Sequence, residues 1–307
     1  MIICDAFKIL VVILKFGISP SPFRWWTGIE QFETWVQIIE RLGYDGIFIP
    51  DHYNLPSPPF PSNELVDTWT TLAYIAAKTH KIKLGSVVSP LPRWVPSQLA
   101  KVIATVDVLS NGRVVAGLGA GYYQDEFINY APGGSLDPPN VRFEKFLEGV
   151  QIILKLWSEE KVTFNGKYYK LANAILEPKP FQKPHPPLWS GGQRTRMMEL
   201  IATYFDGWIP HTFKGDARAQ VTPGIPSPEA YESHARRIKE QLRKAGRDYS
   251  KFTFGVLCAL NFDGEFFEHY ENAGCQYCIV EMAPPAGPTQ YMELTKKFAE
   301  EIIPSFT

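Results

Sequence analysis

KLGSVVSP (residues 83–90), SQLAKVIATVDVLS (97–110) and RVVAGL (113–118) follow one another with little between them. The first and third are short apolar runs bounded by turn residues. The second spaces its apolar residues as a helix does, with Pro96 where a helix can begin. A buried strand, a helix and a second buried strand in so short a span make a βαβ unit, and its two strands must run parallel.

The same unit recurs in both directions. Towards the N-terminus, Ile13 to Ser19 precedes a helical pattern from Gly28 to Arg41, and Gly46 to Pro50 precedes one from about Leu65 to Lys78. The strand that begins the opening stretch runs from Lys83 to Ser89. Beyond Arg113 to Leu118 a glycine-rich turn leads to a helix near Arg142 to Trp157. Leu188 to Ser190 then precedes Thr195 to Tyr204, and Gly207 to Pro210 precedes Pro228 to Ala245. Phe252 to Leu260 precedes a short helix around Glu265 to Ala273, and Tyr277 to Met282 precedes Thr289 to Ile302. Eight strand-then-helix units in 307 residues favour an α/β fold of the closed (β/α)8 type, a TIM barrel, over a doubly wound open sheet. An open sheet would carry its nucleotide turn after the first strand, and Gly17-Ile18-Ser19-Pro20 is not a GxGxxG turn. With no linker or low-complexity segment, residues 1–307 read as a single domain.

Two stretches break the alternation before the fifth strand. Lys161 to Ala172 reads as a β-hairpin turning at Asn165-Gly166, and Pro178 to Pro187 is too rich in proline for a helix or a central strand. Together they form an insertion, a hairpin plus a Pro-rich loop, expected to shape the active site.

Composition narrows the function classes. Hydrophobic residues make up 45% and charged residues 21%, the balance of a folded globular protein, and the net charge is -1 without runs of one sign. That argues against a nucleic-acid partner, which calls for clustered Lys and Arg. Four cysteines suit a reducing, cytoplasmic compartment better than a disulfide scaffold. Cys275-x-x-Cys278 has no second ligand pair, so core packing is its expected role and no metal site is expected. Ile9 to Leu14 is too short an apolar run for a membrane span and lacks the basic flank of a secretory signal. It reads as a short extension into the first strand, and a strand starting at Ile13 would leave residues 1 to 12 ahead of the natural start.

In a barrel of this kind chemistry gathers at the C-terminal ends of the strands. Those ends read Ser19-Pro20, Pro50-Asp51-His52-Tyr53, Ser86-Val87-Val88-Ser89-Pro90, Gly117-Leu118-Gly119-Ala120-Gly121, Ser190-Gly191-Gly192-Gln193, Ile209-Pro210-His211 and Glu281-Met282. An imidazole beside a carboxylate at such an end can exchange a proton near neutral pH, which singles out His52. Gly191-Gly192-Gln193-Arg194 opens a helix, where bare N–H groups and the helix dipole favour a phosphate.

With these ends in view the sequence resembles the bacterial luciferase-like superfamily, whose members use reduced flavin or the deazaflavin coenzyme F420. The resemblance covers nearly the whole chain. It rests on Gly43-Tyr44-Asp45 leading into Ile49-Pro50-Asp51-His52, then Leu84 to Pro90, Leu99-Ala100-Lys101, Ala104-Thr105-Val106-Asp107 and Ser110-Asn111-Gly112-Arg113. It continues through Gly119-Ala120-Gly121, Gly166-Lys167-Tyr168-Tyr169, Pro178-Lys179-Pro180 with Gln182, and Asp206-Gly207-Trp208. Each motif is weak alone, and the ordered set is specific.

The resemblance implies an oxidoreductase with His52 as catalytic acid or base and Asp51 beside the cofactor ring. It implies a cis non-prolyl peptide at Ser86-Val87 as a ridge behind that ring. The cofactor would be held by Asp51, Ser86, Val87, Ser89, Ala120, Gly121, Asp125, Gly191, Gly192, Gln193 and Arg194. Trp26, Tyr122, His211 and Lys214 would meet a small-molecule substrate. Asp51-His52, Ser86-Val87 and His211 to Lys214 look more like the F420 group, with FMN as the alternative. The sugar-phosphate and secondary-alcohol dehydrogenases of that group have a Glu where this chain has Tyr122, and the basic partners of Lys214 are not evident near Ala283-Pro284-Pro285. Phe23, Trp25, Trp26, Tyr53, Trp94, Tyr122 and Tyr123 suggest instead a greasy pocket, or packing under a lid or at a subunit interface. Three readings stand at this point: an F420-dependent hydride-transfer enzyme, an FMN-dependent monooxygenase fed by a reductase, and a non-catalytic flavin-binding barrel. Relatives imply a homodimer.

Overall fold

The computed structural model describes residues 13–20, 28–54, 65–213, 224–282 and 288–306. The chain opens with β1 (Lys15–Pro20), α1 (Ile29–Arg41), β2 (Gly46–Ile49), α2 (Thr68–Lys78), β3 (Lys83–Ser86), a two-residue β4 (Ser89–Pro90) and α3 (Pro96–Leu109). It continues with β5 (Val114–Gly119), α4 (Gln124–Tyr130), α5 (Pro139–Ser158), a hairpin of β6 (Val162–Asn165) and β7 (Lys170–Ala174), then β8 (Leu188–Ser190) and α6 (Thr195–Tyr204). β9 (Gly207–Trp208), α7 (Pro228–Lys244), β10 (Thr253–Ala259), α8 (Gly264–Asn272), β11 (Tyr277–Met282) and α9 (Pro288–Glu301) complete it.

Parallel pairing runs β1-β2-β3-β5-β8-β9-β10-β11, and β11 returns to β1, so 8 strands close into a barrel ringed by helices. The expected (β/α)8 fold is the observed one. Helix positions follow local chemistry. Asp67 caps α2 by accepting from the Thr70 N–H at 2.8 Å, and Pro96 opens α3. In α1 the buried residues are Phe32, Trp35, Val36 and Ile39, one face at helical spacing. Burying each such side chain contributes roughly 1.5–3 kcal/mol.

Two packing zones result from the alternation of side chains along each strand. Outward residues of the strands join the helices in one large core. Inward residues form a second cluster of Phe48, Val115, Trp189, Ile209, Leu257, Tyr277 and Ile279 that plugs the barrel. Phe48 stacks on Trp189 at 5.5 Å and 12°, and Tyr277 meets Trp189 edge-on at 5.1 Å. Gly85 makes room for that plug, since a Cβ there would lie 2.5 Å from the Phe48 ring.

The structure corrects the sequence in several places. β1 starts at Lys15, and Ile13 is exposed. The strand expected from Lys83 to Ser89 splits, because β2 ends at Ile49, which pairs with Ser86 and takes the last bond from Val87 N–H at 3.0 Å. The chain then steps across to pair Ser89 and Pro90 with β5. The hairpin does not turn on Asn165-Gly166 alone. Residues Gly166 to Tyr169 wrap the Glu148 carboxylate, which accepts from the N–H groups of Lys167, Tyr168 and Tyr169 at 2.8, 3.0 and 3.1 Å.

The insertion also lies elsewhere than expected. Its hairpin runs outside α5, and Lys179 reaches the C-terminal carbonyls of that helix, Leu156 at 2.9 Å and Glu159 at 2.5 Å. Gln182 donates to Asp107 near the end of α3 (2.9 and 2.7 Å) and to the Val114 carbonyl at the start of β5 (2.8 Å). Those contacts place the proline-rich segment at the N-terminal face of the barrel, opposite the mouth. Arg113 braces the same face through the carbonyls of Ala76, Thr79 and Ile82. Among the described residues no helix is long and apolar enough to cross a membrane.

Candidate active site

His52 follows β2 at the barrel mouth, with its side chain 16% exposed. Its Nδ1 lies 3.2 Å from both carboxylate oxygens of Glu126, a residue of α4. Glu126 also accepts from the N–H groups of Tyr53 (2.6 Å) and Asn54 (3.2 Å), so the turn after β2 is clamped to it. On its other side Arg93 donates through Nη1 to Glu126 Oε2 at 2.5 Å and through Nη2 to Asp51. Trp94 Nε1 completes Asp51 at 3.1 Å, and the Arg93 guanidinium stacks 4.0 Å from the Tyr53 ring centroid. Asp51, Arg93 and Glu126 are all buried.

The arrangement has a direct chemical consequence. A carboxylate at Nδ1 fixes the tautomer with the proton on that nitrogen and leaves Nε2 as the exchanging atom. Tyr122 OH stands 3.4 Å from Nε2. Burial opposes ionisation of Glu126, yet the bonds from His52, the charge of Arg93 and the Tyr53 N–H together hold its carboxyl below the ordinary range. Such a dyad can take or give a proton at the mouth.

The remaining sequence-predicted residues sort into three places. Asp51, Ser86 and Ser89 are buried in the wall behind the mouth. Ser86 Oγ donates to the Gly117 carbonyl at 2.8 Å, and Ser89 Oγ accepts from Trp69 Nε1 at 3.0 Å. Burial pushes the Asp51 carboxyl up, against the pull of Arg93, Ser89 and Trp94. Val87, Ala120, Gly121, Tyr122 and His211 lie at the stave ends, His211 with its ring stacked on Phe213 at 5.4 Å. Asp125 is exposed on α4 beside Tyr123, and its neighbour Glu126 is the residue that turns inward. Trp26 and Lys214, with Phe23 and Trp25, lie outside the described residues. Tyr53 and Trp94 pack around the Arg93–Asp51 pair.

The cis non-prolyl peptide joins Val87 to Val88, one residue beyond the expected Ser86-Val87. Ser86 is still held in the β3 ladder, which keeps the preceding peptide in register with β2. Gly191, Gly192 and Gln193 lead into α6, whose cap residue Arg194 makes no side-chain cap bond. Trp208 Nε1 secures the Gly192 carbonyl at 2.9 Å. Arg142, at the start of α5, feels the charge of Asp137 and, more weakly, that of Arg194, and Arg196 stacks on Phe143 at 4.3 Å. The cysteines Cys258, Cys275 and Cys278 are buried and unpaired, with Cys275 and Cys278 Sγ atoms 3.8 Å apart.

Sequence reasoning missed Glu126, Arg93 and Arg142. The usable signal was the acidic pair Asp125-Glu126 just after a glycine turn, a helix-start signature. Nothing in the sequence showed which of the two faces His52.

A family model described as luciferase-like monooxygenase matches residues 17–263. The chain is 29% identical over 235 residues to the F420-dependent glucose-6-phosphate dehydrogenase of Kineococcus radiotolerans, covering 76% of this chain and 64% of that protein. The match therefore spans a little under two thirds of that relative's length. It is 25% identical over 264 residues to the FMNH(2)-dependent dimethylsulfone monooxygenase of Pseudomonas putida, covering 79% of this chain and 70% of that one. Among solved structures it is similar to an F420-dependent secondary alcohol dehydrogenase in complex with an F420-acetone adduct, with a TM-score of 0.77 at 18% identity over 96% of this chain and 99% of that one. At that identity the likeness speaks for the fold.

Proposed function

The chain belongs to the luciferase-like monooxygenase family, and on that premise we propose that it is an oxidoreductase moving a hydride between coenzyme F420 and an organic substrate, either an alcohol–carbonyl pair or an activated alkene. The observation that carries the reading is the buried chain from Asp51 through Arg93 and Glu126 to His52, which offers one imidazole nitrogen at the mouth. The relatives named for F420 support the choice of cofactor.

The residues present suit a planar, phosphorylated group. A Cβ at Gly119, Gly121 or Gly191 would come within 2.6 Å of the Val88 side chain, the Phe127 ring or the Ile209 carbonyl, so these stave ends stay bare and close-packed, a surface on which a flat ring can lie. The first N–H groups of α6 lack a capping side chain and stand beside Arg142 and Arg194. In this reading Val87, Ala120 and Gly121 flank the ring, while Gly191, Gly192, Gln193 and Arg194 hold the phosphate. Asp51, Ser86 and Ser89 act from behind, by fixing Arg93 and the two staves. Bound F420 supplies a two-electron hydride carrier that oxygen does not intercept.

This chain's own residues then handle the proton. In oxidation the substrate carbon gives up its hydride as the substrate hydroxyl gives its proton to His52 Nε2. Reduction returns both. Glu126 holds the resulting imidazolium, Arg93 keeps Glu126 ionised, and Asp51 balances Arg93. Tyr122 hydrogen-bonds the substrate oxygen beside Nε2, with His211 on another part of the rim. The unit acts as one domain and, by analogy with relatives, as a homodimer.

The Pseudomonas putida relative favours a second reading, an FMN-dependent monooxygenase fed by a separate reductase. Turnover of a panel of alcohols and enones with F420, run in air and under argon, separates the two. Equal rates without oxygen uptake support hydride transfer. Product formation only with reduced FMN, matched by oxygen uptake, would overturn it.

A further inference from the structure

The first turn of α2 reaches the wall behind His52 through two neighbouring side chains. Thr68 Oγ1 donates to the Pro50 carbonyl at 3.0 Å, and the His52 N–H donates to the same carbonyl at 3.1 Å. Trp69 Nε1 donates to Ser89 Oγ at 3.0 Å. Trp69 is 1% exposed, and Thr68 and Ser89 are fully buried. Neither residue of α2 belongs to the chain from Asp51 to His52 described above.

The direction of these hydrogen bonds has a consequence. An indole nitrogen only donates, so Trp69 occupies a lone pair of Ser89 Oγ and turns the single hydroxyl proton away from itself. That proton goes to the Asp51 carboxylate, which also accepts from Trp94 Nε1 at 3.1 Å and from Arg93. The proton of a neutral Asp51 would need an acceptor, and neither an indole nor a guanidinium is one. Burial works against these donors and holds the Asp51 carboxyl above the ordinary range. The loss of one donor therefore favours the neutral form further.

Asp51 and His52 also act on each other's charge, so what stabilises the carboxylate stabilises the imidazolium. Arg93 stands between Asp51 and Glu126, and Tyr53, whose ring covers Arg93, feels both carboxylates and that of Asp67. These are the charged and titratable groups through which a change at Asp51 is felt.

We infer that Trp69 is a positioning residue of the proton-transfer site: through Ser89 it keeps Asp51 a carboxylate, and through Asp51 it sets how firmly His52 holds its proton. The inference rests on the proposed function only for His52 being the group that exchanges the proton.

A pH titration of the His52 ring-proton resonance in the cofactor-free protein tests it, the resonance being identified by its absence from His52→Asn. Ser89→Ala should move the midpoint to lower pH by about 0.5–1 unit, because a neutral Asp51 no longer supports the imidazolium. Trp69→Phe keeps an aromatic ring and loses the N–H, and should move the midpoint in the same direction by about half as much. Ser89→Thr keeps the hydroxyl and should return the midpoint to within about 0.2 unit of wild type. A packed indole without this role would lower the melting temperature in Trp69→Phe and leave the midpoint where it was. That result, or a midpoint moved to higher pH, overturns the inference. Should Ser89→Ala not fold, Trp69→Phe decides alone.

Kinetics give the second reading. With F420 bound and an alcohol as substrate, the acid limb of kcat/KM should move in the same direction in both variants, since alcohol oxidation needs the neutral imidazole. Failure of wild type to bleach F420 with any alcohol counts against the proposed function, and the resonance titration still judges Trp69.

Discussion

Glu126 decides what His52 can do. By accepting at Nδ1 it commits the other ring nitrogen to the mouth, and by sharing Arg93 with Asp51 it stays ionised while buried. Its carboxyl is held below the ordinary range, so the unfolded chain binds that proton more readily than the folded one. The stability it contributes is complete above the ordinary glutamate value of about 4.3 and is lost as pH falls through the folded value. We predict that the gap in unfolding free energy between wild type and Glu126→Gln is constant above about pH 5.5 and shrinks below about pH 4. Denaturant unfolding across that range checks it, and a gap that widens with acid would contradict it. Arg93→Met should cost more, about 3–5 kcal/mol, because it leaves two carboxylates buried together; thermal or denaturant unfolding measures it. His52 was legible in the sequence because a strand-end imidazole needs no distant information to be noticed. Glu126 and Arg93 were not, because their meaning comes from partners on other staves, 74 and 42 residues away.

At the scale of elements, strands and helices announced themselves and the joints between them did not. Apolar runs and helical spacing located the staves because a strand covered on both faces has little choice of residue. Where β3 ends depends on where β2 stops offering partners, which placed the cis peptide one residue later than the sequence suggested. The seven-residue α4 was missed, since it is too short to show a period. The insertion was recognised but assigned to the wrong end of the barrel. Its course depends on α5 finishing at the N-terminal face, where Gln182 ties it to Asp107 and β5. That contact is structural, so Gln182→Ala should lower stability by about 1–3 kcal/mol and leave kcat and KM within twofold of wild type. Unfolding and steady-state kinetics together check it, and a large kcat loss in a well-folded variant would restore the insertion as an active-site element.

Over the whole molecule, an aromatic plug fills the lower barrel and leaves chemistry to the ring of stave ends above it. The closed barrel could be read from eight repeats of one unit, whereas the mouth's internal charge pattern could not. The proposed hydride transfer depends on His52 exchanging a proton beside bound F420. Its most direct test follows the visible absorbance of F420 on mixing wild type or His52→Asn with the same alcohol. Wild type should bleach the cofactor equally in air and argon, and His52→Asn should bind F420 as tightly but bleach it about 10²–10⁴ times more slowly. An undiminished rate in His52→Asn, or no binding of F420 by wild type at micromolar concentrations, would contradict that role.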